Sequence, residues 1–312
     1  MADEFSRIAT YFAPLAGIEG RGLADDAAVL TPPPGRELVL TVDQMLESVH
    51  FLPGDPPDLV ARKLLRRNLS DLAAMGATPL GYLLTTALPA TTPETWLAGF
   101  AHGLAQDQKI YGIKLFGGDS SATPGKISLS ATLLGHVAPG AALGRNGAQP
   151  GDNIWVTGTI GDAALGLQAR LGKLADPGGY LTSRSMLPTP RVGLALAGLV
   201  RAAIDISDGL VQDLGHLCAA SGLRAVIRAG LIPASAQALA LGPAWLESRL
   251  TGGDDYELLL AVPPGGGPAL RLACGAVPVK KIGVFQPGSG VHVLDDNGGG
   301  LPLQTPGWRH FG

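Results

Sequence analysis

Carboxylates recur in this chain where apolar runs give way to glycine or to a helix. Asp205, Asp208 and Asp213 interrupt AIDISDGLVQDLG (203–215), Asp25 and Asp26 stand in GLADDAAVL, and Asp43 ends the run ELVLTVD. Asp71 lies in NLSDLAAMG, Asp119 follows two glycines in LFGGDSS, and Asp254, Asp255 and Glu257 stand in TGGDDYELLL. A buried carboxylate is costly unless it is capped, paired or metal-bound. Several carboxylates gathered together repel one another and need cations. Hard oxygen donors suit Mg²⁺, which commonly bridges one or two carboxylates to substrate phosphates. The ligand implied is therefore a polyphosphate. The chain has only two cysteines and six histidines, with no clustering that suits a transition metal.

Each carboxylate also has a plainer reading. Asp208, just before GLVQDLG, is equally a helix N-cap. Asp71 could face solvent from its helix, and Asp213 and Asp152 (in a PGD turn) are expected to face water. Arg62, Lys63, Arg66 and Arg67 are expected to form a solvated face of the same helix as Asp71. Asp43 and Asp119 are harder to dismiss, because each ends an apolar strand, where a sheet meets its ligand cleft. Familiar nucleotide signatures are missing. GGDSSATPGKI has a Gly-Lys pair followed by Ile, which is no P-loop, and no G-x-G-x-x-G opens a helix after a strand. Nor does a protein-kinase motif set occur.

The elements that must position these groups follow from periodicity and punctuation. In the first half, ELVLTVD (37–43) reads as a strand, 56–76 as a helix with Pro57 near its start and Gly76 as its stop, and LGYLLTTALP as a strand. A helix opened by Pro93 and strands at IKLFGG and KISLSATLLGHV follow. The Gly/Pro-rich segment 136–153 is the candidate linker. The second half offers strand NIWVTG, helix GDAALGLQARLG, a helix near PRVGLALAGLV, the 203–215 stretch, and strands at LRAVIRA, YELLLAV, VKKIGVF and VHVLDD. Two domains, each a sheet covered by helices, result.

Composition sets bounds. At 312 residues, with 46% hydrophobic and 16% charged, the chain suits two globular domains rather than disorder. The net charge of −3 and the lack of basic blocks argue against a nucleic-acid groove. Acids in MADEFSRIATYF do not suit a signal peptide, and no apolar run is long enough to span a membrane. A soluble cytoplasmic protein is expected.

Seven motifs together (GLADDAAVL, LTVDQMLESVHF, NLSDLAAMGATP, FGGDSS, IDISDGL, TGGDDYELLL and the terminal GWRHFG) resemble, in order and spacing, the thiamine-monophosphate kinase family. That family belongs to the superfamily of aminoimidazole ribonucleotide synthetase. The resemblance spans nearly the whole chain. It implies an α/β N-terminal domain (1–140) that binds ATP and Mg²⁺ and forms a homodimer, and a C-terminal α+β domain (148–312). It also implies phosphorylation of thiamine monophosphate by ATP to give thiamine diphosphate, through direct transfer without a covalent nucleophile. By the same resemblance, Asp26, Thr41, Val42, Asp43, Asp71, Asp119, Asp205 and Asp208 are the expected Mg²⁺ ligands, Val42 through its carbonyl only. Gly118, Asp119, Arg145 and Ser207 match ATP-contacting positions, and His50, Asp254 and Trp308 match substrate positions. An aromatic ATP contact of the family falls on Ala101 here. Taken alone, Arg145 reads as a linker surface charge, His50 as a structural histidine and Trp308 as a packing plug. Other ATP-using members of the superfamily (aminoimidazole ribonucleotide synthetase, selenophosphate synthetase or the hydrogenase maturation dehydratase) are the nearest alternative. A non-catalytic protein binding divalent cations or nucleotide is a further one.

Overall fold

The computed structural model describes residues 4–308. Contacts divide the chain into two compact units: one runs to Leu72 and adds Ala77–Gly140, and the other comprises Ala73–Gly76 and the chain from Ala141 onward.

In the first unit a short helix, α1 (Glu4–Arg7), precedes β1 (Glu37–Leu46), α2 (Pro57–Ala74), β2 (Thr78–Pro89), α3 (Glu94–Tyr111), β3 (Lys114–Thr123) and β4 (Ser128–Val137). The sheet order is β1-β4-β2-β3, with β2 and β3 parallel and the other pairs antiparallel. A parallel pair needs a long crossover, and α3 supplies it. The expected strands and both helices are present, but β1 and β3 run on past the apolar runs that announced them, so Asp43 and Asp119 lie within strands and not at strand ends as expected. Along β4, Leu129, Ala131 and Leu133 are buried and alternate with half-exposed Ser130, Thr132 and Leu134. One face therefore meets the helices, as bonds from Thr41 to Asp71 on α2 and from Gln108 on α3 to Tyr82 attest. The opposite face stays open and carries Leu38, Leu40, Val42 and Leu83, all exposed.

The basic run on α2 is not the solvated face expected. Lys63, Arg66 and Arg67 are buried. Asp107 on α3, wholly buried, accepts from Arg62 Nε at 2.9 Å and from Arg66 Nε at 2.7 Å. Arg66 also lies over the Tyr111 ring, 5.5 Å from its centroid. Lys63 donates to the carbonyl of His50 at 3.1 Å. The countercharge comes from a residue about forty positions away, which a local charge pattern cannot reveal.

The second unit is a six-stranded sheet of order β10-β7-β9-β5-β8-β6, built from β5 (Asn153–Thr157), β6 (Ala202–Asp205), β7 (Leu223–Arg228), β8 (Leu258–Val262), β9 (Val279–Pro287) and β10 (Gly290–Leu294). Only β10 and β7 run parallel. Its helices are α4 (Asp162–Arg170), α5 (Tyr180–Met186), α6 (Leu210–Ser221), α7 (Ala236–Ala240), α8 (Leu246–Thr251) and α9 (Gly267–Cys274). The unbroken apolar run of β8 makes sense because both sheet faces are covered. Leu259 and Ala261 join a core with Leu214 and Leu217 of α6, while Leu258, Leu260 and Val262 join another with Leu270 and Cys274 of α9.

Two expectations fail here. Residues 190–200 form turns instead of a helix, because Gly193 and Gly198 adopt φ of 84° and 76°, outside helical space. Arg191 in that segment is bonded to Glu257. Asp152 is wholly buried rather than in water: it accepts from the Gln149 amide and from Arg201, each at 2.8 Å.

The interior of this unit holds further acids. Asp255 accepts the amides of Gly161 and Ala163 at the start of α4, and Asp162 accepts hydroxyls of Thr159, Tyr180 and Ser235. Burial pushes the Asp255 carboxyl up from 3.8 to about 8, against the pull of its two amides and with the charge of Asp162 adding to the rise.

Two outcomes are expected. Asp107→Asn should lower unfolding free energy by about 3 kcal/mol or more, since removing one partner of a buried ion pair strands the other; a loss under about 1 kcal/mol by urea unfolding would contradict the pairing. Native Asp255 holds a proton that the unfolded chain releases, so its stabilisation is full below about pH 4 and is lost as pH rises through about 8. Urea stability should therefore fall as pH rises from about 4 to about 8, with Asp255 contributing at most ~1.4 kcal/mol per pH unit. Asp255→Asn should reduce that slope, most clearly between pH 7 and 8, above the value of about 7 to which the other raised acid, Asp213, is pushed.

Candidate active site

The first unit gathers some of the expected ligands on β1 and α2. Thr41 and Asp43 share the helix-facing side of β1, where Thr41 Oγ1 donates to Asp71 Oδ2 at 2.5 Å. Arg67 Nε stands 3.7 Å from Asp43 Oδ2, a loose pairing that leaves the half-exposed carboxylate oxygen open to another cation. Asp71 is thus turned toward β1 rather than to solvent. Val42 points to the opposite face, 63% exposed, so its side chain takes no part in this group.

Asp119 sits elsewhere. Its register partner is Thr85, itself opposite Ser130 and so on the open face, away from Asp43. Gly118 beside it lies so close to β2 that an added Cβ would fall 1.8 Å from the carbonyl of Leu84, which explains the glycine before the acid. Asp26 is exposed in the irregular segment after the turns at Ile18–Leu23. His50 follows β1, and its Nδ1 accepts the Leu46 amide at 3.0 Å, which places the proton of the neutral ring on Nε2. Ala101 is buried within α3.

The second unit ties its set together more tightly. Asp205 ends β6 and is buried, whereas Ser207 and Asp208, on the loop into α6, are half-buried. The loop 252–257 lies against this one through backbone bonds from Asp254 N to Ser207 O and from Tyr256 N to Ile206 O, each 2.8 Å. Gly253 permits the approach, since a Cβ there would come within 2.2 Å of the Ser207 carbonyl. Asp254 and Tyr256 both adopt left-handed backbone, with φ of 72° and 53°, a conformation that costs roughly 1–3 kcal/mol per residue and persists only where neighbours enforce it. The Tyr256 hydroxyl donates to Asp254 Oδ1 at 2.9 Å. Beyond them, wholly buried Glu257 accepts from Thr157, Arg184 and Arg191 and fixes the loop to β5 and the 184–191 segment.

Trp308 arrives from the chain's far end. Its amide donates to the Asp208 carbonyl at 3.0 Å, and Gln212 Nε2 bonds both its carbonyl (2.7 Å) and Asp208 Oδ2 (3.1 Å). The indole is 53% exposed and is no packing plug. Arg145 is exposed, and its carbonyl accepts the Ser221 hydroxyl.

The cap question resolves against both local readings. The N-cap of α6 is Gly209, and Asp208 makes no capping bond. Asp213, expected in water, is instead 2% exposed and accepts the amides of Ser207, Asp208 and Gly209 on one oxygen. Burial pushes its carboxyl up to about 7, the Asp208 charge adds to the rise, and the three amides oppose it. One ligand atom each from Asp208, Asp213 and His216 lies within 4.8 Å of the others, but the committed oxygen of Asp213 makes this a poor cation cage. Gln212 and Tyr256 escaped the sequence reading, and Asp213 was noticed but assigned to water. An acid four residues after a helix-opening glycine was the available sign for Asp213.

Residues 24–137 match the family described as AIR synthase related protein, N-terminal domain, and residues 149–296 match its C-terminal domain. A thiamine-monophosphate kinase of Caulobacter vibrioides is 43% identical over 98% of this chain and 90% of its own length. The crystal structure of the thiamine-monophosphate kinase from Stenotrophomonas maltophilia K279a is 38% identical, with a TM-score of 0.81 over 93% of each chain. AaThiL complexed with AMPPCP and TMP is 31% identical, with a TM-score of 0.80 over 99% of this chain and 97% of that one. A hydrogenase maturation protein in complex with ATP has a TM-score of 0.83 at only 19% identity and shares the fold alone. By near-full-length identity as well as fold, this chain belongs to the thiamine-monophosphate kinase family of AIR synthase related proteins.

Proposed function

We propose that this chain transfers the γ-phosphoryl group of ATP to the phosphate of thiamine monophosphate, giving thiamine diphosphate and ADP. The observation that carries the reading is the hydrogen-bonded constellation of the second unit. There, Ser207, matched to a nucleotide position, is bonded through its backbone to Asp254, and Asp208, matched to a metal position, to Trp308, the last residue of each pair being matched to substrate. Chemistry of this kind asks for positioning and charge neutralisation rather than for a nucleophilic side chain. The attacking group is a phosphate oxygen of the substrate, and no enzyme residue is phosphorylated.

The donor set fits Mg²⁺. Asp26, Asp43, Asp71, Asp119 and Asp208 are all exposed or half-exposed, and all offer hard oxygens, as would Asp205, Thr41 and the carbonyl of Val42. When bound, Mg²⁺ neutralises the charge of the phosphates. Gly118, Asp119, Arg145 and Ser207 are proposed to contact ATP, with Arg145 suited to a bidentate phosphate contact. Ala101 supplies no ring there. His50, Asp254 and Trp308 are proposed to hold thiamine monophosphate, and the exposed indole offers an aromatic face to its cationic thiazolium.

A homodimer through the first unit accords with the open sheet face. Leu38, Leu40 and Val42 on edge strand β1 and Leu83 on β2 leave an apolar patch there, of the kind that marks an interface. Two free, buried thiols, Cys218 and Cys274, suit a reducing cytoplasm. No described helix is long and apolar enough to cross a membrane.

Purified protein with MgATP should release ADP only when thiamine monophosphate is present, with thiamine diphosphate accumulating one for one; ADP release indifferent to that substrate would refute the assignment. Asp208→Asn probes the metal role within it. Asn can still accept from Gln212, and the backbone bonds of residue 208 are untouched, so the ligand-free melting temperature should stay near that of the wild type. The Mg²⁺ concentration for half-maximal rate should rise at least about tenfold, as loss of a charged ligand demands; an unchanged Mg²⁺ requirement would make Asp208 structural.

A further inference from the structure

The amino end of α6 has the form of an anion site. Three successive amides, of Ser207, Asp208 and Gly209, point into one place at a helix N-terminus, an arrangement that elsewhere receives phosphate. Here the chain fills it from within. Asp213 Oδ2 accepts all three, at 3.0, 3.0 and 3.1 Å, from one turn further along the helix. The carboxylate is buried, whereas Ser207 and Asp208 are half-exposed.

We infer that Asp213 is a positioning residue, which occupies the anion-binding end of α6 and fixes the 207–209 loop so that it meets its ligands through side chains alone. The consequences are specific. With its amide on Asp213 and its carbonyl on the Asp254 amide, Ser207 has only its hydroxyl to offer a nucleotide. Asp208, with its amide on Asp213 and its carbonyl on the Trp308 amide, presents only its carboxylate. This helix end therefore takes a cation through Asp208 and makes no direct amide contact to phosphate. The inference rests on the reading of Asp208 as a Mg²⁺ ligand.

The test uses the full-length protein and two variants. Asp213→Ala removes the acceptor and should raise the Mg²⁺ concentration for half-maximal rate about tenfold, the scale on which groups that orient metal ligands act. Asp213→Asn keeps an oxygen in place and should restore the wild-type requirement to within about twofold. A merely structural role would lower the folded fraction of Asp213→Ala and leave the Mg²⁺ requirement of the folded enzyme unchanged, which would overturn the proposal. If Asp213→Asn instead needs as much extra Mg²⁺ as Asp208→Asn while its loop stays ordered, Asp213 acts by charge, and the positioning role is wrong. Hydrogen exchange at the amides of residues 207–209 decides the matter even if Asp213→Ala does not fold. They should be protected in the wild type and in Asp213→Asn without nucleotide, and MgATP should add little. Free exchange without ligand, or protection that appears only with MgATP, would sink the proposal. Absence of turnover in the wild type would defeat the kinase reading, whereas the exchange result would still judge the clamp.

Discussion

A carboxylate taken out of water must be given donors or a cation, and this requirement sorts the acids of the protein into two populations. Asp107, Asp152, Asp162, Asp213, Asp255 and Glu257 are buried, and the protein itself supplies their partners: arginines, hydroxyls or backbone amides. The acids expected to hold Mg²⁺, namely Asp26, Asp43, Asp71, Asp119 and Asp208, remain exposed or half-exposed. Asp205 is the exception, being buried at the end of β6. The first population holds helices and loops in place, and the second is where external cations have room to bind.

The two populations are coupled in the second unit. Asp213 orders the loop that bears Asp208, and Glu257 anchors the strand that follows Asp254. Backbone bonds between these loops then fix the left-handed conformations of Asp254 and Tyr256. Buried acids thus act on the site without belonging to it, through the shape of the backbone. The fold alone does not select the chemistry, since a hydrogenase maturation protein shares it at 19% identity. The selection lies in what the loops carry.

The strands and long helices of both units were legible because period-two and period-3.6 patterns are local. So were the motif aspartates, which glycine marks. What the sequence concealed depended on distant partners. The basic face of α2 looked solvated because its countercharge, Asp107, lies on another helix. Asp213 looked like an ordinary polar position on α6, since an acid four residues after a helix-opening glycine is too weak a local sign to announce three amides folding back onto it. Residues 190–200 carried helical composition, but two glycines and the pull of Glu257 on Arg191 set a different path. The separation of Asp119 from Asp43 onto opposite sheet faces could be known only from strand register.

The central claim, that the open carboxylates are completed by divalent cations together with nucleotide, is met most directly by thermal melting of the wild-type protein. The conditions to compare are chelator, Mg²⁺ alone, a non-hydrolysable ATP analogue alone, and both together. A ligand that binds only the native state adds ~2.7 kcal/mol of stability at a hundredfold excess over Kd. The melting temperature should rise most with Mg²⁺ and analogue together, and by more than the sum of their separate effects. A melt unmoved by the pair would contradict the account.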